Sequence, residues 1–140
     1  IVANVTEAFF LMNYEYQVTK HSNKIYELID ELTKKFLTNI IITGIEIENN
    51  EIGVLLKQYH SNQISFFKEQ KIIGSYHGTG DIFLSYMIGK YFISNEINIS
   101  IKEAMKFVKD AILLTKEDAN HLYGIKFEKV LRGFYEKANG

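Results

Sequence analysis

Residues 82–93 are apolar on nearly every side of a helix, with Ile82, Phe83, Leu84, Tyr86, Met87, Ile88, Tyr91, Phe92 and Ile93 in one nearly unbroken stretch. A helix of that kind cannot lie on a surface with one face in water. It calls for burial between layers, so the chain is expected to build a layered domain rather than a simple amphipathic bundle. Directly before this helix stands Gly78-Thr79-Gly80-Asp81. A carboxylate at the start of a buried helix is costly unless something uses it.

The rest of the chain supplies the other layers. Residues 1–3 read as the end of a buried strand, and Asn4 with Glu7 has capping-box spacing, opening a short helix to about Met12. Ser22 stands at the head of a second helix, whose Ile25, Leu28, Ile29, Leu32 and Phe36 follow helical periodicity. Residues 39–44, "NIIITG", form a β-branched run ending in glycine, which suits a central strand covered on both faces. Asn49-Asn50 divides two strand-like stretches and reads as a hairpin turn. "QISFFKEQKIIG" reads as a further strand pair or a bent strand, with Phe66 and Phe67 as packing residues, so residues 39–74 are β-rich. Ser100 and Glu103 repeat the capping-box spacing and are expected to open a helix to about Thr115. Residues 127–138 read as a last amphipathic helix. The order of elements predicts an α/β layered domain.

Composition narrows the function. The chain of 140 residues is one domain's worth, and 46% hydrophobic residues are enough for a packed core. A formal net charge of −1 gives no basic field for nucleic acid or an anionic membrane. Cysteine is absent, which excludes disulfides, thiolate metal sites and a cysteine nucleophile. No apolar run reaches the roughly 18 residues of a membrane span, and the start has no basic segment of a signal peptide. A cytoplasmic protein is expected. Proline is absent and lysine outnumbers arginine 15 to 1, a bias read as one of codon composition. None of His21, His60, His77 and His121 pairs at a helical metal-ligand spacing, and only His77, before the glycine turn, lies near a candidate site.

Three groups of residues could carry chemistry. In Gly78-Thr79-Gly80-Asp81 the glycines let backbone N–H groups converge on an anion, and the helix start adds its own free N–H groups. A carboxylate beside a transferring phosphoryl group can take the proton of the attacking hydroxyl. The purely structural reading is a glycine turn with Asp81 as N-cap. In Asn4-Val5-Thr6-Glu7 the capping box explains both residues without function. The functional reading has Glu7 hold a hydrated Mg²⁺, for which one carboxylate suffices, while Asn4 orients a phosphate. Thr43-Gly44 ends the β-branched strand, where ligands sit in open α/β sheets. There the choice is between a phosphate-contacting hydroxyl and a glycine that merely ends a strand.

The stretches "NVTEAFFLM", "IIITG", "HGTGDIF" and "IKFEKVL", in that order, resemble the C-terminal half of pyridoxal/pyridoxamine kinases of the ribokinase-like superfamily. The resemblance runs over nearly the whole chain. It implies an α/β fold, a three-layer α/β/α sandwich of which this chain is the C-terminal, nucleotide-binding half. It also implies ATP-dependent phosphorylation of the hydroxymethyl group of a small pyridine-type vitamer (vitamin B6 salvage), with ATP and Mg²⁺. By motif match Asp81 is the catalytic base. Gly78, Thr79 and Gly80 form the anion hole, Asn4 and Thr43 contact phosphate, and Glu7 serves Mg²⁺ through water. A homodimer is expected at full length.

The sequence departs from the family at several points. Val2 and Ala3 stand where members often read Thr-Pro, which loses a hydroxyl contact to nucleotide. Gly44 follows Thr43 where some pyridoxal kinases have serine. The half of the family that supplies most of the acceptor pocket has no counterpart, so the sequence reads as a piece of a longer kinase: a truncated gene product, a proteolytic remnant or a deliberately cut chain. Hydroxymethylpyrimidine kinases are the nearest alternative. They share the histidine before GTG but typically carry cysteine where Asp81 stands. Sugar and nucleoside kinases more often read GAGD. An alternative of another class is a half-domain that binds ATP without turnover.

Overall fold

The β-branched run forms the centre of a sheet. In the computed structural model, which describes residues 1–15, 22–74, 76–116, 124–128 and 130–132, strand β2 (Ile40–Ile47) lies between β1 (Val2–Asn4) and β3 (Glu51–Lys57), and β4 (Ile64–Gln70) follows β3. β1 pairs parallel with β2, and the other neighbours pair antiparallel. The described residues divide between two compact units, Ile1–Gln70 and Lys71–Gly140.

In the first unit, helices α1 (Val5–Leu11) and α2 (Asn23–Phe36) accompany the sheet. Ala3, Ala8, Phe9, Ile25, Leu28, Ile29, Leu32, Ile40, Ile42, Ile45 and Leu55 make one buried cluster. The predicted stripe of α2 is the buried one through Leu32, and each such aliphatic contributes about 1.5–3 kcal/mol by leaving water. Phe36, expected on the same stripe, is exposed. It is the last helical residue before Leu37, which turns the chain into the left-handed region at φ 51°, ψ 42°. Alternation along a strand puts Ile41, Val54 and Leu56 on the face opposite the cluster, and these are buried too. β2 is thus covered on both faces, as its sequence predicts.

The hairpin between β2 and β3 turns at Asn49 and Asn50, both at positive φ (63° and 57°), a conformation asparagine tolerates better than most residues. "QISFFKEQKIIG" gives a single strand, β4, ending at Gln70. Phe67 is buried and Phe66 packs half-buried against the core cluster, so both serve packing. An ion pair ties α2 to the end of β3: Asp30 receives Lys57 Nζ at 2.6 Å on Oδ1 and Lys34 Nζ at 2.6 Å on Oδ2. Ser22 is the N-cap of α2 by position, but its hydroxyl makes no cap bond.

In the second unit α3 (Thr79–Ser94) packs on α4 (Ile97–Lys116). Tyr86 and Phe107 stack at 4.2 Å with planes 16° apart, and Lys90 meets Glu103 at 2.7 Å. Burial, and then the Glu103 carboxylate, push the Tyr86 phenol up to about 12. Two expectations are corrected here. Full burial of α3 is not what forms: Phe83 and Met87 are its buried residues, whereas Phe92 and Ile93 are each 83% exposed. One face packs on α4, and apolarity all round the helix does not by itself supply a cover for the rest. Nor does Ser100 cap α4. The helix begins at Ile97, three residues after Ser94, and Ser100 lies inside it with Oγ donating to the Glu96 carbonyl at 2.8 Å. Thr115, fully buried, donates to the Ala111 carbonyl and accepts from Lys126 N–H at 2.9 Å, fastening the stretch that begins "IKF" to α4. The expected helix over residues 127–138 lies largely outside the described residues, as do His21 and His121.

No helix among the described residues is long and apolar enough to cross a membrane.

Candidate active site

β1 is three residues long and feeds straight into α1, so its last residue is also a helix cap. Asn4 Oδ1 accepts from Glu7 N–H at 2.9 Å, and Glu7 Oε2 accepts from Asn4 N–H at 2.9 Å. The capping box read from the sequence is complete. Both side chains are nonetheless exposed, and the box engages only one polar atom of each: among the described residues the Asn4 amide nitrogen and Glu7 Oε1 remain for a ligand.

Asn4 also ends the parallel ladder, paired with Thr43 of β2. Thr43 is half-buried, with its Oγ1 a long 3.5 Å from the Ala3 carbonyl. Asn4, Glu7 and Thr43 therefore gather where β1 ends and α1 begins. Thr43-Gly44 is also where the β2–β3 register breaks: Ile42 pairs with Leu55 and Ile45 with Gly53, so two residues of β2 stand opposite Val54 alone. This is a β-bulge, with Gly44 at φ +74°. The sequence carries a trace of it. Ile40, Ile42 and Ile45 all join the core cluster, and the even-to-odd change of phase requires one extra residue between them.

Gly78, Thr79, Gly80 and Asp81 lie in the second unit. Gly78 is the N-cap of α3 at φ 84°, ψ 3°, with no side-chain cap bond. Ile82 N–H donates to the Gly78 carbonyl at 3.0 Å. Asp81 is thus the third residue inside the helix, and the reading of Asp81 as N-cap is corrected: a glycine in the left-handed conformation takes that position. Asp81 makes no hydrogen bond or ion pair among the described residues. A carboxylate in the first turn is favourable to the helix dipole, but nothing in the turn engages this one. The helix start is also more open than expected, since Gly78, Gly80 and Asp81 are exposed and Thr79 half-buried. Water can reach its N–H groups, and so can an anion. His77, exposed, precedes the turn.

No three His, Cys, Asp or Glu side chains converge as a metal cage among the described residues. What Glu7 offers is a single exposed carboxylate with one oxygen uncommitted among the described residues. That fits a hydrated Mg²⁺, which retains several waters and takes one or two carboxylates.

A family model described as phosphomethylpyrimidine kinase matches residues 1–125. The chain belongs to the phosphomethylpyrimidine kinase family. No curated protein matches it. Among solved structures, a Bacteroides thetaiotaomicron protein provisionally described as a phosphomethylpyrimidine kinase aligns with TM-score 0.86 at 24% identity. The alignment covers 96% of this chain and 46% of that one. Pyridoxal kinase from Lactobacillus plantarum aligns with TM-score 0.80 at 20% identity, over 95% of this chain and 48% of its own. Pyridoxal kinase from Leishmania donovani in complex with ADP and pyridoxine aligns with TM-score 0.75 at 19% identity, over 91% and 45%. The fold is therefore the mixed α/β fold shared with these kinase structures. This member of the phosphomethylpyrimidine kinase family spans about half the length of the structures it matches.

Proposed function

We propose that residues 1–140 are the C-terminal, nucleotide-binding half of a ribokinase-like kinase domain. The reaction is ATP-dependent phosphorylation of the hydroxymethyl group of pyridoxal, pyridoxamine or pyridoxine, with the acceptor pocket largely outside this chain. The observation that carries the reading is the start of α3, in a chain of this kinase family. Gly78 takes the cap position and supplies no side-chain cap bond, and Asp81 stands exposed on the first turn without a partner among the described residues.

In this reading Asp81 accepts the proton of the acceptor hydroxyl. The oxygen so freed attacks the γ-phosphorus, and ADP leaves. The backbone N–H groups of residues 78–80 and the positive end of α3 hold the charge that gathers on the transferred group. Asn4 and Thr43 orient phosphate oxygens, and Glu7 holds Mg²⁺ through water. Mg²⁺, when bound, neutralises charge on the triphosphate. The capping box occupies Glu7 Oε2 with the Asn4 N–H, which leaves Oε1 to meet the metal's water.

A second reading is favoured by the description of the matched family: the acceptor is a hydroxymethylpyrimidine rather than a pyridine. The machinery at the nucleotide end would be the same.

Binding of nucleotide by this chain tests the proposal. Mg·AMP-PCP should raise its melting temperature, by an amount that grows with ligand concentration. The chain should release no ADP when given ATP with pyridoxal or with hydroxymethylpyrimidine, because phosphoryl transfer depends on donor and acceptor being held in line. Turnover should appear when a polypeptide of the full length of the matched kinases contains this chain, and the preferred acceptor then separates the two readings. Absence of any nucleotide-dependent shift would overturn the proposal. A shift with no turnover at full length would leave the non-catalytic ATP-binding module as the function.

A further inference from the structure

We propose that Gly44 is a positioning residue of the phosphate site, its left-handed backbone setting the bulge that holds the Thr43 hydroxyl beside Asn4. The inference rests on the phosphate-contacting reading of Thr43 and Asn4 given above.

Gly44 is not required by lack of space. A Cβ added there would meet no atom within 4 Å. What a side chain would meet is the backbone angle: φ is +74°, a region that costs an L-residue with a Cβ about 1–2 kcal/mol. The phase change between Ile42 and Ile45 confines the bulge to Thr43 and Gly44, and Thr43 is the residue that pairs with Asn4, the last of the parallel ladder. Asn4 is itself fixed by two hydrogen bonds to Glu7. One wall of the site is therefore held by a capping box, and the facing one, Thr43, is held by the bulge. The weak 3.5 Å contact of Thr43 Oγ1 with the Ala3 carbonyl does not fix the hydroxyl on its own. Bulges re-aim side chains in this way beside functional sites.

The test is a double-mutant cycle read by calorimetric titration with Mg·AMP-PCP, alongside the melting temperature of each variant. Gly44→Ala and Thr43→Val should each weaken binding about tenfold, the worth of one hydrogen bond to a charged group. The double variant should bind within about twofold of either single one, because both remove the same contact. Gly44→Asn, which tolerates positive φ, should retain affinity within about threefold of the unsubstituted chain. If Gly44→Ala lowers the melting temperature and leaves affinity unchanged, the bulge serves the fold alone and the proposal fails. Losses that multiply in the double variant would also overturn it, since Gly44 would then act independently of Thr43. Should the alanine variant not fold, a folded Gly44→Asn variant that loses more than about threefold in affinity decides against the proposal. If the unsubstituted chain binds no AMP-PCP, the phosphate reading itself fails and takes this inference with it.

Discussion

Gly78 caps α3 from the left-handed region, and Asp81, three residues on, is left inside the first turn with no hydrogen bond from the described residues. An aspartate in a glycine turn is most economically explained as an N-cap, and here that explanation is removed by the geometry. The carboxylate serves the dipole of α3 and is otherwise available. In a phosphomethylpyrimidine kinase family member this makes it the group to test first as a proton acceptor.

Glu7 separates folding from metal use. Glu7→Gln keeps a side-chain oxygen for the Asn4 N–H and so keeps the capping box. The melting temperature should stay within about a degree or two, corresponding to a change of a few tenths of a kcal/mol. The Mg²⁺ concentration giving half-maximal nucleotide binding should rise several-fold. If it does not move, Glu7 is a cap residue and nothing more.

Gly53 tests the packing of the first unit. A Cβ there would lie 2.5 Å from Phe66 Cε2 and 2.7 Å from Cζ, on a ring packed against the core cluster. Gly53→Ala should destabilise by about 1–3 kcal/mol, as overpacking does. In urea the midpoint should fall with little change in slope. Phe66→Leu in the same chain should recover part of the loss. An alanine variant as stable as the parent would mean that the ring moves aside freely.

Legibility followed how local each signal was. The Asn4–Glu7 box, the α2 stripe through Leu32 and the Asn49-Asn50 turn each depend on a few neighbouring residues, and each forms as read. The Ser100–Glu103 pattern is the same signature in the wrong context: α4 has already begun at Ile97, and the serine hydroxyl turns back to the Glu96 carbonyl. The apolar girth of α3 states what prefers burial but not what covers it, and Phe92 and Ile93 stand exposed. The bulge is a non-local fact, set by the pairing of β2 with β3, although the phase change from Ile42 to Ile45 records it. The motif at residues 78–81 could be found in the sequence. That its cap is Gly78 could not, because a backbone angle decides it.

Asp30 gives the first unit a pH dependence of known sign. Its carboxyl is held below the usual aspartate range by hydrogen bonds from Lys34 and Lys57, with their charges adding. A depressed carboxyl stabilises the fold above the unfolded value of about 3.9 and loses that contribution as pH falls through the folded value. Thermal melts should show stability falling below about pH 4. Asp30→Asn should lower the melting temperature at neutral pH, since Lys57 is buried and loses its partner, and should flatten that acid limb. An unchanged acid limb would place the titrating group elsewhere.

In the proposed reaction Asp81 takes the proton of an acceptor hydroxyl during phosphoryl transfer. The most direct test of that role is ADP release from ATP with pyridoxal as acceptor, measured for Asp81→Asn in a polypeptide of the full length of the matched kinases that contains this chain. The amide is nearly isosteric and preserves the first turn of α3 but cannot accept the proton. Turnover should fall roughly 10²–10⁴-fold, the range for loss of a general base, while affinity for AMP-PCP stays within about threefold because the anion-binding N–H groups are untouched. An asparagine variant that keeps more than about half the parental turnover would rule out Asp81 as the general base, since no base worth even the low end of that range could then have been removed.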